Sequence, residues 1–304
     1  MDTLRLVTFR ELEIAVRVFH PEAPRTVIAW HGLARHGGDF AALARELGPE
    51  WRVLAPDTPG RGLSSWSLYP ANDYLYSHYM TVALAVMDHF ELDRAAWVGT
   101  SMGGLLGMLL AADPSSAGRI ERLVLNDVGP ELVPQGLAEL ATYFTVPHRF
   151  SRLSQLEAEL RRHYAGFGID DEDAWRQLTL ESARRLPDGS WTYHYDPRIG
   201  EQFVHDTPRD TWADWKAIRC PLMVVRGEDS PLLSEDIVTR MGEAQPELET
   251  LAVPGCGHAP MLDRPSQVAP IKAFLEKSLA EQPHEPSRAV ARPWWRRLLG
   301  LGAS

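Results

Sequence analysis

The chain has 304 residues, 44% of them hydrophobic and 24% charged, which is enough apolar material for one large α/β domain or two ordinary domains. Its formal charge of -10 argues against nucleic acid as a partner, because phosphate binding needs a basic surface. The two cysteines, Cys220 and Cys256, are too few for a disulfide framework and lack the spacing of metal ligands, so we expect buried thiols and no metal site.

The amino-terminal segment carries no recognisable targeting signal. It lacks a basic stretch that leads into an apolar core of signal-peptide length, and the chain contains no run of about 18 apolar residues. We therefore expect a cytoplasmic protein without a transmembrane segment.

The amino-terminal part of the chain predicts short strands that alternate with helices. Residues 4–8 and 12–19 alternate apolar and polar side chains, as in a two-stranded antiparallel edge. The continuous apolar run at 26–30 is instead typical of a strand covered on both faces. The predicted elements then continue as a helix at 39–47, a strand at 52–55, a helix at 73–90, a strand that ends near 100, a helix at 105–112 and a strand at 123–125.

The segment at 130–215 differs, because strand pattern gives way to a helical, loop-broken sequence rich in aromatic residues. A structureless connection of that length is improbable, so we predict an inserted helical cap. The aromatic residues are expected to form the core of this cap and its seam with the main domain, with a few of them lining a pocket.

Strand pattern returns at 221–225 and 248–253, with helices predicted at 234–242 and 267–279. Strands that alternate with helices at this spacing indicate βαβ units and a mostly parallel sheet flanked by helices. We therefore assign 1–129 and 216–280 to an α/β core domain. The final segment, 281–304, predicts a flexible tail, or an amphipathic patch that docks on a membrane surface or a partner.

A candidate nucleophile lies where an apolar strand runs through a turn of small residues into a helix, over the residues WVGTSMGG at 97–104. A serine at the apex of such a turn is held in a strained conformation with its hydroxyl exposed, and the flanking glycines avoid collisions with the strand and the helix. Ser101 is therefore the candidate. The Gly-x-Ser-x-Gly motif is weak alone, so the assignment depends on its partners.

A serine nucleophile needs a base to take its proton and an acid to hold that base in one tautomer. His258 lies in the Gly-rich loop at 255–260, after the last predicted strand, and such a loop lets an imidazole reach across the sheet. Of the 11 histidines, it is the only one so placed after Ser101 in the order serine, acid, histidine. We predict that His258 is the base.

Two residues compete for the position of the acid. Asp127 follows the strand after Ser101, and Asp229 follows the next-to-last strand, so both loops can present a carboxylate to the same imidazole. Each aspartate also has a structural alternative, as a cap of a turn or as a partner of loop amides. We keep both, with Glu228 as a remote third candidate.

The developing oxyanion needs backbone N–H donors. Met102 follows the nucleophile at the start of a helix, where its amide is free and the helix dipole favours negative charge. Leu33, after the strand-end pair His31-Gly32, is the second candidate donor. We expect His31 and Gly32 to contact the substrate.

These motifs occur in one order: His31-Gly32, the loop at 57–64, Gly99 to Gly103, the cap insertion and the loop around His258. In these motifs and their order, the chain closely resembles the α/β-hydrolase superfamily, over nearly all of residues 4–280. The resemblance implies the α/β-hydrolase fold with a nucleophile elbow and an oxyanion hole. In relatives the acid usually stands three residues after the glycine of the next-to-last strand loop, which is Ser230 here. Some haloalkane dehalogenases place it after the strand that follows the nucleophile, which matches Asp127.

The resemblance also implies the chemistry. Dehalogenases and epoxide hydrolases of this fold carry an aspartate where Ser101 stands, so a serine implies an acyl-enzyme or a serine-assisted addition. We predict a cap-bearing serine hydrolase of a small or medium carboxylic ester that needs no cofactor. One alternative is a hydrolase of carbon–carbon bonds in vinylogous diketones, because the Ser-Met-Gly-Gly turn resembles that group. The other is a non-catalytic ligand receptor on the same fold. The oligomeric state stays open.

Overall fold

The computed structural model describes residues 2–131, 147–205 and 210–277. The strands in these ranges are β1 (Thr3–Phe9), β2 (Leu12–Phe19), β3 (Arg25–Trp30), β4 (Trp51–Pro56), β5 (Ala95–Thr100), β6 (Ile120–Asn126), β7 (Ala183–Arg185), β8 (Trp191–Tyr193), β9 (Leu222–Gly227) and β10 (Glu249–Val253). The α-helices are α1 (Ala41–Leu47), α2 (Pro70–Asp73), α3 (Tyr76–His89), α4 (Met102–Ala112), α5 (Leu153–His163), α6 (Glu172–Ser182), α7 (Glu201–His205), α8 (Trp212–Ala217), α9 (Glu235–Ala244) and α10 (Pro265–Glu276).

Eight of the strands form one sheet, in the order β1-β2-β4-β3-β5-β6-β9-β10. Strand β2 runs antiparallel to both of its neighbours, and every other neighbouring pair is parallel. The mostly parallel sheet flanked by helices and the antiparallel pair at its edge confirm the fold predicted from the sequence.

The central strands are continuously apolar because helices cover both faces of the sheet. In β3, Val27 and Ala29 pack in the layer that contains α1 and α10, whereas Ile28 and Trp30 pack in the layer that contains α3 and α4. All four side chains are excluded from solvent. Full burial of a side chain such as Ile28 contributes about 1.5–3 kcal/mol, so the two layers hold the strand ends in fixed positions.

The structure differs from the sequence prediction in two places. The helix predicted at 73–90 begins only at Tyr76, as α3, with the short helix α2 before it. In addition, β7 pairs with β8 in a two-stranded antiparallel sheet inside the segment predicted to be helical. Strands of three residues are too short to produce a detectable alternation of apolar and polar side chains.

Residues in the segment predicted as a cap contact the loop that follows β4. The Asp196 N–H donates to the Gly60 carbonyl at 2.8 Å, and the Gly62 N–H donates to His194 Nδ1 at 2.9 Å. Contacts of this kind are expected of a cap over the strand ends. The division into domains at 130 and 215 stays a prediction.

The tail predicted at 281–304 lies outside the described residues. Within the described ranges, no helix combines the length and the apolar character that crossing a membrane requires. The cytoplasmic location stays a prediction.

Candidate active site

Ser101 occupies the turn between the end of β5 and the start of α4. Its backbone has φ 51° and ψ -114°, a positive-φ conformation that is uncommon for a residue with a side chain. A Cβ added to Gly99 would come within 2.2 Å of the Gly103 carbonyl oxygen, and one added to Gly103 within 2.1 Å of the Trp30 carbonyl oxygen. The two glycines of the motif are therefore required by the close approach of β5, α4 and β3.

His258 lies between the serine and a carboxylate. Its Nε2 is 2.9 Å from Ser101 Oγ, and its Nδ1 is 2.7 Å from Asp127 Oδ2. With Asp127 ionised, Nδ1 carries the proton and donates to the carboxylate, so Nε2 is left to accept the serine proton. The loop that carries His258 packs tightly on β9. A Cβ added to Gly227 would be 2.2 Å from the Gly257 carbonyl oxygen, so only glycine fits there.

Asp127 is fully buried, and its carboxylate accepts hydrogen bonds from three groups. Oδ1 accepts the Gly227 N–H at 2.9 Å, and Oδ2 accepts the Ser230 hydroxyl at 2.6 Å as well as the imidazole of His258. Hydrogen bonds to an ionised carboxylate are stronger than neutral ones and offset the cost of removing its charge from water. These bonds hold the carboxylate beside Nδ1.

The second candidate acid, Asp229, is not beside the imidazole. Its side chain is exposed, and among the described residues no hydrogen bond or ion pair joins its carboxylate to His258. Its backbone N–H donates to the Cys256 carbonyl at 2.9 Å, and this bond joins the loop after β9 to the loop that carries His258. Glu228 is also exposed. In the structure it is Asp127 that contacts His258, and Ser230 donates to Asp127. The role of either aspartate as the catalytic acid stays a prediction.

The pair His31-Gly32 lies next to the nucleophile, but His31 does not face the substrate. A Cβ on Gly32 would be 3.7 Å from Ser101 Cβ. His31 is buried: its Nδ1 donates to the Gly32 carbonyl at 2.7 Å and its Nε2 accepts the Thr58 N–H at 2.9 Å. Burial holds the pKa of His31 well below its usual value, so the ring is neutral. The ring of His31 is therefore placed to support the loop, and a contact of His31-Gly32 with the substrate stays a prediction.

The proposed oxyanion donors come from two elements that meet at Ser101. Met102 begins α4, and the first N–H groups of a helix have no partner within the helix. Leu33 follows Gly32 in the loop beside the serine, and its carbonyl accepts Nε of Arg61 at 2.9 Å. Both residues are thus close to Ser101 along the chain or through Gly32, and the roles of their amides as oxyanion donors stay predictions.

Three residues to which the sequence analysis gave no role in the site support it. Ser230 donates to Asp127, as described. The Asn126 amide donates to Thr100 Oγ1 at 3.0 Å and to the Pro260 carbonyl at 2.8 Å, and so ties β6 to the nucleophile strand and to the histidine loop. Arg61 is buried beneath the oxyanion loop. A polar residue at a strand end is the only available signal for Asn126. The family resemblance marks the position of Ser230 and the loop of Arg61, but not the contacts that either side chain makes.

The cysteines take no part in this arrangement of groups. Both are free thiols, Cys256 buried and Cys220 partly buried. Burial raises the pKa of Cys256 to about 11 and that of Cys220 to about 12, so both thiols are protonated at neutral pH.

Among the described residues, His36, Asp39 and Glu181 form a group of potential metal ligands. Arg35 already donates to both carboxylate oxygens of Asp39, at 2.7 and 2.5 Å. His36 Nδ1 accepts the Gly38 N–H at 3.0 Å, so Nε2 carries the ring proton and is not a free ligand atom. These contacts make the group unsuited to a cation.

Comparisons with known proteins agree with this fold. A model of the alpha/beta hydrolase family matches residues 27–271. A 3-hydroxybutyrate-oligomer hydrolase of Cupriavidus necator is 36% identical over 265 residues, which cover 84% of this chain and 89% of the relative. An esterase of Escherichia coli is 25% identical over 82% of this chain and 91% of the relative. The crystal structure of an alpha/beta hydrolase from Novosphingobium aromaticivorans has a TM-score of 0.81 and 33% identity, and covers 90% of this chain and 98% of that one.

Proposed function

The chain belongs to the α/β hydrolase family and is a hydrolase, and on this basis we propose that it cleaves carboxylic esters through an acyl-enzyme formed on Ser101. The observation that carries the proposal is the continuous chain of hydrogen bonds from Ser101 Oγ through His258 to Asp127, with lengths of 2.9 and 2.7 Å. A nucleophile, a base and an orienting acid within hydrogen-bond reach are what acyl transfer by serine requires.

The reaction proceeds in two stages. Ser101 Oγ attacks the ester carbonyl carbon while its proton passes to Nε2 of His258, and the amides of Leu33 and Met102 donate to the resulting oxyanion. When the tetrahedral intermediate collapses, the ester C–O bond breaks and the alcohol takes the proton from His258. Water then attacks the acyl group by the same route, which releases the acid and restores Ser101.

Asp127 orients the base and stabilises its cationic form. The imidazole becomes positively charged in each stage, and a buried carboxylate at 2.7 Å favours that charge. The Gly227 amide and the Ser230 hydroxyl hold the carboxylate in place.

The substrate that we propose to test first is a short linear oligomer of 3-hydroxybutyrate. This choice rests on the name of the Cupriavidus necator relative, with which the chain shares 36% of its residues over most of both lengths. Each linkage in such an oligomer is a carboxylic ester. We rank ester hydrolysis ahead of carbon–carbon cleavage because the name of this relative describes the hydrolysis of such oligomers. A non-catalytic ligand receptor would hydrolyse neither an ester nor a vinylogous diketone.

A fluorophosphonate probe tests the nucleophile. We expect the probe to label the wild type and to label neither Ser101→Ala nor His258→Ala, because the probe reacts only with an activated serine. Ser115→Ala, which changes an exposed serine outside the site, is the matched control and should label normally. Persistent labelling of Ser101→Ala would show that another serine is the nucleophile.

A further inference from the structure

A short turn of the proposed cap, at 164–168, lies directly against the loop that carries the proposed base. The Gly257 N–H donates to the Gly166 carbonyl at 2.5 Å, and a Cβ added to Gly257 would be 2.9 Å from the same oxygen. Arg264, the residue before α10, donates from Nη2 to the Gly168 carbonyl at 2.7 Å. The backbone of the turn is therefore held at two points.

Phe167 lies in this turn and packs its ring on the imidazole of His258. The two ring centroids are 6.4 Å apart and the ring planes meet at 75°, which is an edge-to-face contact. A second ring, that of Tyr164, lies 4.4 Å from the Phe167 ring, centroid to centroid. Tyr164 and Ile169 pack against the hydrophobic core, whereas Phe167 and His258 are both partly exposed. A group that approaches His258 from solvent can therefore reach the Phe167 ring as well.

The proposed reaction brings one part of the substrate to this imidazole. When the tetrahedral intermediate collapses, Nε2 of His258 donates its proton to the oxygen of the leaving alcohol, so that oxygen must come within about 3 Å of Nε2. The acyl group, in contrast, stays on Ser101 after the alcohol has left. A side chain that packs on the imidazole is therefore a neighbour of the alcohol portion of the ester.

We infer that Phe167 forms one wall of the subsite for the alcohol portion of the ester and limits the bulk of that portion. The inference rests on the proposed ester hydrolysis at Ser101. The wall is rigid, because the backbone of the turn is held at two points and the ring contacts both Tyr164 and His258. A bulky alcohol could enter only if these contacts broke, whereas a compact alcohol fits beside them.

The test compares two butyrate esters that differ only in the alcohol, ethyl butyrate and cyclohexyl butyrate, with the release of butyric acid followed by titration at constant pH. In Phe167→Ala, the kcat/KM for the cyclohexyl ester relative to the ethyl ester should rise about tenfold, because a pocket wall discriminates by this amount for each methylene group. Phe167→Leu should give a smaller rise, and Phe167→Trp should lower the ratio. The ratio is independent of the folded fraction of a variant, so partial misfolding does not mimic these results.

Two controls separate the alcohol portion from the rest of the substrate. The first is the kcat/KM for p-nitrophenyl octanoate relative to p-nitrophenyl acetate, two esters that differ only in the acyl group; each Phe167 variant should keep this ratio within about twofold of wild type. The second is Phe150→Ala, which makes the same change elsewhere in the proposed cap, where the ring contacts His148 and Tyr193. It should leave both ratios unchanged.

Three results would overturn the inference. The first is a cyclohexyl-to-ethyl ratio that is the same in the wild type and in the active Phe167 variants. The second is an equally large change in the octanoate-to-acetate ratio, which would place the ring beside the acyl group. The third is a lower kcat with both ratios unchanged, which would mean that Phe167 only supports His258. A wild type that hydrolyses none of these esters contradicts the proposed function instead.

Discussion

The loops that follow β6 and β9 end beside the same imidazole, yet they contribute different groups. The loop after β6 supplies the Asp127 carboxylate, 2.7 Å from His258. The loop after β9 supplies two donors to that carboxylate, the Gly227 N–H and the Ser230 hydroxyl. β6 and β9 are parallel neighbours in register, so their ends lie at one level of the sheet. An acid on either loop can therefore orient His258, and in this chain the second loop holds the acid in place.

The largest effect is expected from Asp127→Asn. Asparagine tolerates the positive φ of 59° at this position, and its oxygen can still accept the Gly227 N–H. Its amide N–H₂ faces Nδ1, however, and selects the wrong imidazole tautomer, so kcat should fall by about 10,000-fold. Steady-state hydrolysis of a p-nitrophenyl ester measures the loss.

The matched control is Asp229→Asn, which makes the same change on the other loop. Asp229 is exposed and its carboxylate does not contact His258, so we expect kcat to stay within about twofold of wild type. A large loss from Asp229→Asn with a small loss from Asp127→Asn would reverse the assignment of the acid.

An intermediate effect is expected when the carboxylate is moved between the loops. Ser230 Oγ and His258 Nδ1 both bond to the same oxygen of Asp127, so they are close neighbours. Adding Ser230→Asp to Asp127→Asn should recover about 10- to 100-fold of the lost kcat, since an acid on the second loop restores the tautomer. No recovery in a double variant with wild-type thermal stability would show that the loops are not equivalent.

The smallest effect is expected from Ser230→Ala. The hydroxyl donates to a buried carboxylate at 2.6 Å, and a hydrogen bond to a charged group is worth about 1.5–3 kcal/mol. We expect kcat to fall by about tenfold with little change in KM, and Ser230→Thr to retain most of the activity. An unchanged kcat in Ser230→Ala would mean that Gly227 alone holds the acid.

The positions of Ser101 and His258 at strand ends were predictable because each depends on a local pattern. Ser101 sits where a strand meets a helix between glycines, and His258 sits in a Gly-rich strand-end loop. Parallel strands bring their carboxyl ends to one edge of the sheet, so such patterns converge whatever the length of chain between them. The alternation of strands and helices predicted the sheet for the same reason.

The acid could not be chosen from the sequence, because Asp127 and Asp229 occupy equivalent places at the ends of adjacent strands. The choice depends on side-chain direction, which is set by the positive φ of Asp127 and by the bond from the Asp229 amide to the Cys256 carbonyl. Backbone angles in loops leave no periodic signal in a sequence.

The environments of His31 and Arg61 could not be predicted from the sequence either. His31 is bonded to Thr58, and Arg61 is bonded to Tyr79 and Gln202, all distant along the chain. Whether a polar residue beside a strand end faces a substrate or is packed beneath the loop depends on such distant contacts. Sequence pattern therefore located the site, and packing assigned the individual residues.

The central claim is an acyl-enzyme on Ser101, and mass spectrometry of a rapidly quenched reaction tests it most directly. The wild type is mixed with p-nitrophenyl butyrate, quenched in acid before deacylation is complete, and digested. We predict a butyryl group on the peptide that contains Ser101, absent when Ser101→Ala is treated in the same way. Hydrolysis at the wild-type rate with a butyryl group on a different residue, or by Ser101→Ala, would contradict the account.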